Sequence, residues 1–353
     1  MLARYWIVLC GTLALVAGTK SFGDEQQSDP TNDSSTGRAK FRTVAMQWLN
    51  RSGDRPTTKF GIALDANVQQ VPADRPLVVL VHGFNSSPEH LLGLSAAIRE
   101  AGYACGTLRY PNDQPIEDSA KLLSAELRRL AGDYSGRKVV LVTHSMGGLV
   151  ARESIEDPAL DPGNVSQLLM IAPPSHGTSC AYLACRADVL EHRTPETHNL
   201  LDCLYASIED GLGEARHELK PNSHFLEELN RHPRNPKVRY TVFLGTGTAF
   251  TRDQLAQARR ILEKCALADS FVASMEPALQ RALSDFEDAV EEGDGVVSVE
   301  RGRLEGVADT LLLGFNHWNA IGEPKSPSVL ALHQEILKRL AGPSQEAIPT
   351  SAP

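Results

Sequence analysis

The sequence has few basic residues and few cysteines, and each shortage excludes a class of protein. Among its 353 residues, 35 are Lys or Arg and 44 are Asp or Glu, which gives a net charge of −9. No segment concentrates the basic residues to neutralise phosphates, so nucleic acids are not expected as partners. Six cysteines in a chain of this length exclude a small scaffold held together by disulfides. The chain is long enough for one large domain or two ordinary ones.

Long apolar runs are also scarce, and the first one covers residues 7–17, behind Arg4. This run is shorter than the ~20 residues that a membrane-spanning helix needs. Small residues follow it, so we interpret residues 1–23 as a signal peptide, with a buried N-terminal strand or helix as the alternative. No second spanning segment follows in the sequence. We therefore expect an exported protein, periplasmic or extracellular once the signal peptide is removed.

Export would permit disulfide bonds. Outside the apolar run an odd number of cysteines remains, namely Cys105, Cys180, Cys185, Cys203 and Cys265. Three of them fall between residues 180 and 203, where one bridge is expected, and buried free thiols are the alternative. Their spacing matches no zinc-binding pattern, and the sequence has no H-E-x-x-H motif, no paired C-x-x-C and no Walker loop. No metal and no cofactor is therefore expected.

Apolar, β-branched runs alternate with helical patterns along the middle of the chain. They predict strands at residues 77–81, 103–109, 138–143 and 167–172, and helices at 87–101, 116–130 and 146–155. This order predicts a parallel sheet with helices on both faces. Wholly apolar strands such as Leu77–Val81 agree with it, because a strand covered on both sides has no face in contact with water. Further strands are expected at residues 238–244 and 310–315, with weaker ones near 41–48 and 60–63.

The composition also predicts the boundaries of the folded part. Residues 24–40 are polar and predict a flexible leader, residues 41–341 form the expected domain, and residues 342–353 form a disordered tail. Two stretches with helical periodicity, 178–236 and 251–293, interrupt the alternation. Insertions of this kind stand above the carboxyl edge of a parallel sheet, so we expect a cap or lid there. Their apolar positions belong either to ordinary core or to the wall of a substrate pocket.

The strongest chemical motif follows an apolar strand and opens a helical pattern. It reads Thr143-His144-Ser145-Met146-Gly147-Gly148. A serine at a sharp turn from strand to helix adopts strained backbone geometry, needs small neighbours and projects its hydroxyl above the sheet. We therefore predict that Ser145 is a nucleophile, and a helix-capping serine is the alternative. Thr143 stands where the G-x-S-x-G pattern has its first glycine.

A serine hydroxyl becomes a good nucleophile only when a base accepts its proton and an acid orients that base. His317 follows a strand-like run and opens a loop, from which its imidazole can reach back over the edge of the sheet. Asp294 lies between two glycines and falls between Ser145 and His317 in chain order, so we predict that it is the acid. The rival carboxylates are Asp253, Glu291 and Glu292.

Attack on an acyl carbonyl creates an oxyanion, which two backbone N–H groups would stabilise. Met146 should supply one of them, because it follows Ser145 at the start of a helix. We expect the other from Phe84, in the turn that follows the strand Leu77–Val81. His82, in the same turn, is expected to shape the turn rather than to catalyse.

These motifs resemble those of α/β-hydrolases of the bacterial lipase and esterase type, including relatives of the GPI-inositol-deacylase-like lipases. The resemblance spans about residues 75–340 and rests on Val81-His82-Gly83-Phe84, residues 143–148, Asp294-Gly295-Val296-Val297-Ser298 and Phe315-Asn316-His317. In those lipases the serine motif commonly begins Ala-His-Ser or Thr-His-Ser. The Asp-Gly-Val-Val run commonly holds the acid about two dozen residues before the histidine, and here the separation is 23. Residues 172–178 resemble a loop of those lipases, and His176 in it is expected to be structural.

The resemblance implies the α/β-hydrolase fold, a mostly parallel twisted sheet with helices on both faces and helical cap insertions. It also implies a serine hydrolase, a lipase or carboxylesterase that cleaves carboxylic esters through an acyl-enzyme. The expected substrate is a small-molecule or lipid ester, and lipid surfaces are a candidate for peripheral contact. An amidase, a peptidase or an acyltransferase could use the same three residues, and a non-catalytic binding protein could share the scaffold.

A redox or nucleotide enzyme is a weaker alternative for a doubly wound sheet. Gly245-Thr246-Gly247 resembles the start of a dinucleotide-binding loop, but Phe250 stands where the third glycine belongs. A turn at the end of a strand explains these glycines better.

Overall fold

The computed structural model describes residues 60–179 except 67 and 85, residue 181, residues 214–248, single positions from 253 to 280, and residues 287–342. The predicted signal peptide and leader, the strand expected near 41–48, five of the six cysteines, most of both insertions and residues 343–353 of the predicted tail lie outside the described residues. Their assignments stay predictions. Cys105 is a buried free thiol, and burial raises its pKa to about 12. In the described part, no helix is long and apolar enough to cross a membrane.

One sheet of seven strands organises the described part of the chain. The strands are β1 (Gly61–Leu64), β2 (Leu77–Val81), β3 (Ala104–Arg109), β4 (Val139–His144), β5 (Val165–Ile171), β6 (Arg239–Gly245) and β7 (Thr310–Leu313). Their order across the sheet is β1-β3-β2-β4-β5-β6-β7. Only β1 pairs antiparallel, with β3, and the other neighbours are parallel. The predicted mostly parallel sheet is confirmed.

Helices cover both faces of this sheet. They are α1 (Leu92–Glu100), α2 (Ile116–Asp133), α3 (Gly147–Glu156), α4 (Glu214–Glu218), α5 (His224–Arg231), α6 (Val299–Gly302) and α7 (Pro327–Leu340). The helix predicted from residue 87 begins instead as a 3-10 turn, Pro88–Leu91, and becomes α-helical at Leu92. The side chain of Ser87 and that of His90 cap this turn, with Pro88 as its first residue.

The wholly apolar strand β2 feeds two hydrophobic cores. Leu77, Val79 and Val81 point into the core that contains α2 and α3. Val78 and Leu80 point into the opposite core, with α1 and α7. All five side chains are buried, because successive residues of a strand face opposite sides of the sheet and both sides are covered.

The described end of the first insertion lies partly at the carboxyl edge and partly against the helix layer. In α4, the Glu218 carboxylate accepts a hydrogen bond from the Ile116 N–H at 2.7 Å, next to the start of α2. In α5, Leu226 and Leu229 are buried in the core shared with α3. These two apolar positions are therefore ordinary core, the first of the two interpretations that the sequence allowed, and not the wall of a substrate pocket.

The chain order places a crevice at one point of the carboxyl edge. From β2 the chain moves outward to β3 and then returns to form β4 on the other side of β2. Ligands of open α/β sheets bind outside the carboxyl ends of the strands at such a reversal. The loops after β2 and β4 meet there, and these two loops carry Phe84 and Ser145.

Candidate active site

Ser145 occupies a strained turn between β4 and α3. Its φ of 54° lies in the left-handed region, which residues with a side chain rarely adopt. The Ser145 N–H donates to the carbonyl of Ile171, and the Ser145 carbonyl accepts from the Gly148 N–H, both at 2.9 Å. The turn is thus held on both sides, with the serine side chain partly exposed above the sheet.

This turn lies in direct contact with the end of β2, where two positions have room only for glycine. A Cβ atom on Gly147 would lie 2.5 Å from the carbonyl oxygen of His82 and 2.6 Å from that of Val81. A Cβ atom on Gly83 would lie 2.8 Å from the Cβ atom of Ser145. Atoms cannot pack at such distances, so the two glycines allow the β2 loop and the serine turn to touch.

Thr143, the departure from the glycine pattern, is accommodated inside the sheet. Its side chain is buried, and its hydroxyl donates to the Leu169 carbonyl of the neighbouring strand β5 at 3.4 Å. It also lies against Gly148, whose added Cβ atom would be 3.4 Å from the Thr143 hydroxyl oxygen. The extra side chain therefore packs between β4, β5 and α3.

The structure brings Ser145, His317 and Asp294 together in one hydrogen-bonded chain. The Nε2 atom of His317 lies 3.1 Å from the Ser145 Oγ atom. The Nδ1 atom of His317 lies 2.7 Å from the Oδ2 atom of Asp294. Asp294 and His317 are buried, whereas the rival carboxylates Asp253, Glu291 and Glu292 are exposed.

The Asp294 carboxylate is oriented by the backbone that follows it. Its Oδ1 atom accepts hydrogen bonds from the N–H groups of Val296 at 2.9 Å and Val297 at 2.8 Å. This leaves Oδ2 facing His317. The Asp294 carbonyl also accepts from the His317 N–H at 3.0 Å, so acid and base are joined through backbone as well as side chains.

Phe84 and Met146 flank the contact between the two loops. Phe84 directly follows Gly83, and Met146 directly follows Ser145 and precedes the first residue of α3. Neither amide donates to a backbone carbonyl of the described residues. Phe84 and Met146 thus adjoin the contact between Gly83 and Ser145, and the local backbone does not use their N–H groups.

His82 is buried beneath the β2 loop. Its ring stacks on Tyr110 with 4.4 Å between the ring centroids, and the Tyr110 hydroxyl donates to the His82 carbonyl at 2.6 Å. Burial lowers the pKa of His82 to about 4, so the ring stays neutral at physiological pH. These contacts agree with a role in shaping the turn.

Gly245 is the last residue of β6, and Thr246 and Gly247 continue beside the end of β7 instead of forming the turn that the sequence predicted. The Thr246 N–H donates to the Leu313 carbonyl at 2.8 Å and the Gly247 N–H donates to the Phe315 carbonyl at 3.0 Å. A Cβ atom on Gly245 would lie 2.6 Å from the Cβ atom of Asp294. The glycines thus bring the end of β6 close to the acid and the loop after β7.

A match to a known protein family agrees with this geometry. The model of the alpha/beta hydrolase family matches residues 78–307, which hold Phe84, Ser145 and Asp294. The chain belongs to the alpha/beta hydrolase family. No curated protein matches the chain in sequence.

Solved structures resemble this alpha/beta hydrolase in fold. The mature form of the Bacillus licheniformis lipase BlEst2 is 20% identical with a TM-score of 0.52, over 78% of this chain and 97% of that chain. Its propeptide form is 21% identical with a TM-score of 0.51, over 75% of this chain and 50% of that chain. At these identities the resemblance establishes the shared fold.

Two features of this alpha/beta hydrolase were missed by the sequence reasoning. His144 contacts the loop of His317, and nothing in the pattern around Ser145 distinguishes it from a spacer residue. Arg152 and Glu156 form a salt bridge at 3.2 Å with both side chains wholly buried. Their i, i+4 spacing predicts an ion pair, but a pair of this kind is expected on the exposed surface of a helix and not in the interior.

Among the described residues, no group of three His, Cys, Asp or Glu side chains is arranged to hold a metal ion.

Proposed function

We propose that this alpha/beta hydrolase is a serine hydrolase that cleaves carboxylic esters, as a lipase or a carboxylesterase. The observation that carries the proposal is the chain of hydrogen bonds from the Ser145 hydroxyl through His317 to Asp294, with distances of 3.1 and 2.7 Å. A hydroxyl in this setting can lose its proton to the imidazole as it attacks, while the carboxylate fixes the tautomer of that imidazole.

The proposed reaction proceeds in two halves through an acyl-enzyme. His317 Nε2 accepts the Ser145 proton while Oγ bonds to the ester carbonyl carbon, and the N–H groups of Phe84 and Met146 stabilise the oxyanion. Asp294 stabilises the imidazolium. The alcohol departs with that proton when the carbon–oxygen bond breaks. Water then attacks the acyl-enzyme with His317 again as base, which releases the acid and restores the Ser145 hydroxyl.

An apolar surface beside the base supports an apolar ester as substrate. Trp318 follows His317, is 45% exposed, and meets the His317 ring edge-on with 6.2 Å between the centroids. A large exposed indole at this position offers apolar area to an acyl chain or an aromatic group. We therefore propose small-molecule or lipid esters as the substrate class. Lipid esters would be reached through peripheral contact of the protein with a lipid surface.

The test is hydrolysis of p-nitrophenyl esters from acetate to palmitate. We expect Ser145→Ala to lower kcat by about three to six orders of magnitude. Ser135→Ala is the matched control, because Ser135 is exposed in the turn after α2. The preferred chain length separates a carboxylesterase from a lipase. Activity that survives Ser145→Ala would contradict the proposal.

A further inference from the structure

His144 precedes the proposed nucleophile and binds the backbone of the proposed base. It is the last residue of β4, and its side chain is buried. Its Nε2 atom lies 3.0 Å from the carbonyl oxygen of His317, across 173 positions of sequence. The two imidazole rings are tilted by 48°, with 4.8 Å between their centroids.

The partners of His144 define its tautomer. A carbonyl oxygen can only accept, so the hydrogen bond to His317 requires a proton on Nε2 of His144. The Nδ1 atom is buried and has no hydrogen-bond partner among the described residues. Burial, with a smaller contribution from the nearby His317, lowers the pKa of His144 well below its usual value. The ring is therefore neutral and adds no like charge when the His317 imidazolium forms.

His317 belongs to a loop, so no regular secondary structure determines the direction of its side chain. Two backbone hydrogen bonds do so instead. Its N–H donates to the Asp294 carbonyl at 3.0 Å, and its carbonyl accepts from His144 at 3.0 Å. The first bond joins the base to the acid, and the second joins the base to the strand that carries the nucleophile.

We propose that His144 is a positioning residue, whose hydrogen bond to the His317 carbonyl holds the His317 imidazole within reach of the Ser145 hydroxyl. The inference rests on the proposed function for its kinetic consequence, because only a working base makes its position matter. Displacement of a reacting group by about 1 Å can lower a rate about 100-fold. A hydrogen bond at the backbone of the base controls a displacement of this size.

The kinetic test compares Gln and Met at position 144. Gln reaches about as far as the Nε2 atom and keeps an N–H donor, whereas Met has a similar length and no donor. We expect His144→Met to lower kcat on a p-nitrophenyl ester by about 10- to 100-fold with KM within about twofold. His144→Gln should stay within about threefold of the wild type. His144→Phe, which keeps an aromatic ring without a donor, replaces the Met variant if that variant does not fold.

A second readout reports the geometry independently of activity. The proton of His317 Nδ1, hydrogen-bonded to Asp294, should give a downfield proton NMR signal, which is assigned by its loss in Asp294→Ala. We expect the signal to persist in His144→Gln and to shift or broaden in the folded Met or Phe variant. An unchanged signal and kcat in the Met or Phe variant, or an equal loss in folded His144→Gln, would overturn the proposal. Absence of ester hydrolysis in the wild type would contradict the proposed function, while the NMR comparison would still decide the role of His144.

Discussion

Gly147 is a residue at which one added methyl group should disturb the site directly. Its Cβ atom would lie 2.5 Å from the His82 carbonyl oxygen, which belongs to the backbone and cannot swing aside. Gly147→Ala must therefore separate the serine turn from the β2 loop. We expect a loss of about 1 to 3 kcal/mol in the free energy of unfolding, together with loss of ester hydrolysis.

The matched control is Gly132→Ala. Gly132 lies in α2, and a Cβ atom there would meet nothing within 4 Å. Because alanine is the better helix former, this variant should be more stable by about 0.5 to 1 kcal/mol and fully active. Chemical denaturation and the p-nitrophenyl assay provide both readouts. If Gly147→Ala matched the wild type in stability and activity, the result would contradict the inferred close contact between the serine turn and the β2 loop.

For single residues, the sequence was most informative where chain order and local motif agree. Ser145, Asp294 and His317 stand in the order that the motifs predicted, and the structure brings their side chains together. His144 escaped notice because its partner lies 173 positions away. Whether a buried histidine binds its own turn, as His82 does, or a distant loop depends on tertiary contacts that a local pattern does not contain.

Among the elements, α3 depends on a buried charge cluster. Arg152 donates to Glu156, to the Asn230 side chain at 2.9 Å and to the Leu229 carbonyl at 3.2 Å, and so joins α3 to α5. Arg234 also contacts Glu156 at 3.1 Å. Removing one member of a buried pair leaves a charge without full compensation.

We expect Arg152→Met to lower the free energy of unfolding by about 3 to 5 kcal/mol. The matched control is Arg231→Met on α5. Arg231 also forms an i, i+4 pair with a glutamate, Glu227, but the side chains are 69% and 53% exposed. That variant should lose less than about 1 kcal/mol. Equal losses in urea denaturation would contradict the assignment of a stabilising role to burial of the Arg152 cluster.

The regular elements were predictable because their patterns are local. The wholly apolar strand β2, the apolar run at residues 139–142 that begins β4 and the periodic helix α2 follow from residue order alone, and their positions were confirmed. The antiparallel direction of β1 was not predictable, since a four-residue strand has the same pattern in either direction. The 3-10 turn at Pro88–Leu91 was read as the first turn of α1, because both begin with the same capping residue and proline.

For the whole molecule, the fold explains why residues so far apart in sequence meet. The strand order reverses at β2 and β4, and the loops at the carboxyl ends of these strands bring Gly83, which precedes Phe84, into contact with Ser145. Strands β6 and β7 then bring the loops of Asp294 and His317 to the same edge. The α/β pattern predicted this edge as the site, while the contact distances required the three-dimensional structure.

The central claim is that Ser145 is the nucleophile of a serine hydrolase, and covalent labelling tests it most directly. The protein would be incubated with a p-nitrophenyl alkylphosphonate, which transfers its alkylphosphonyl group to the oxygen of an activated serine and releases p-nitrophenol. Peptide mass spectrometry would then locate the adduct. We predict one adduct per chain, on Ser145, which is absent in Ser145→Ala and retained in Ser135→Ala. An adduct on another residue, or none on the folded wild-type protein, would contradict the account.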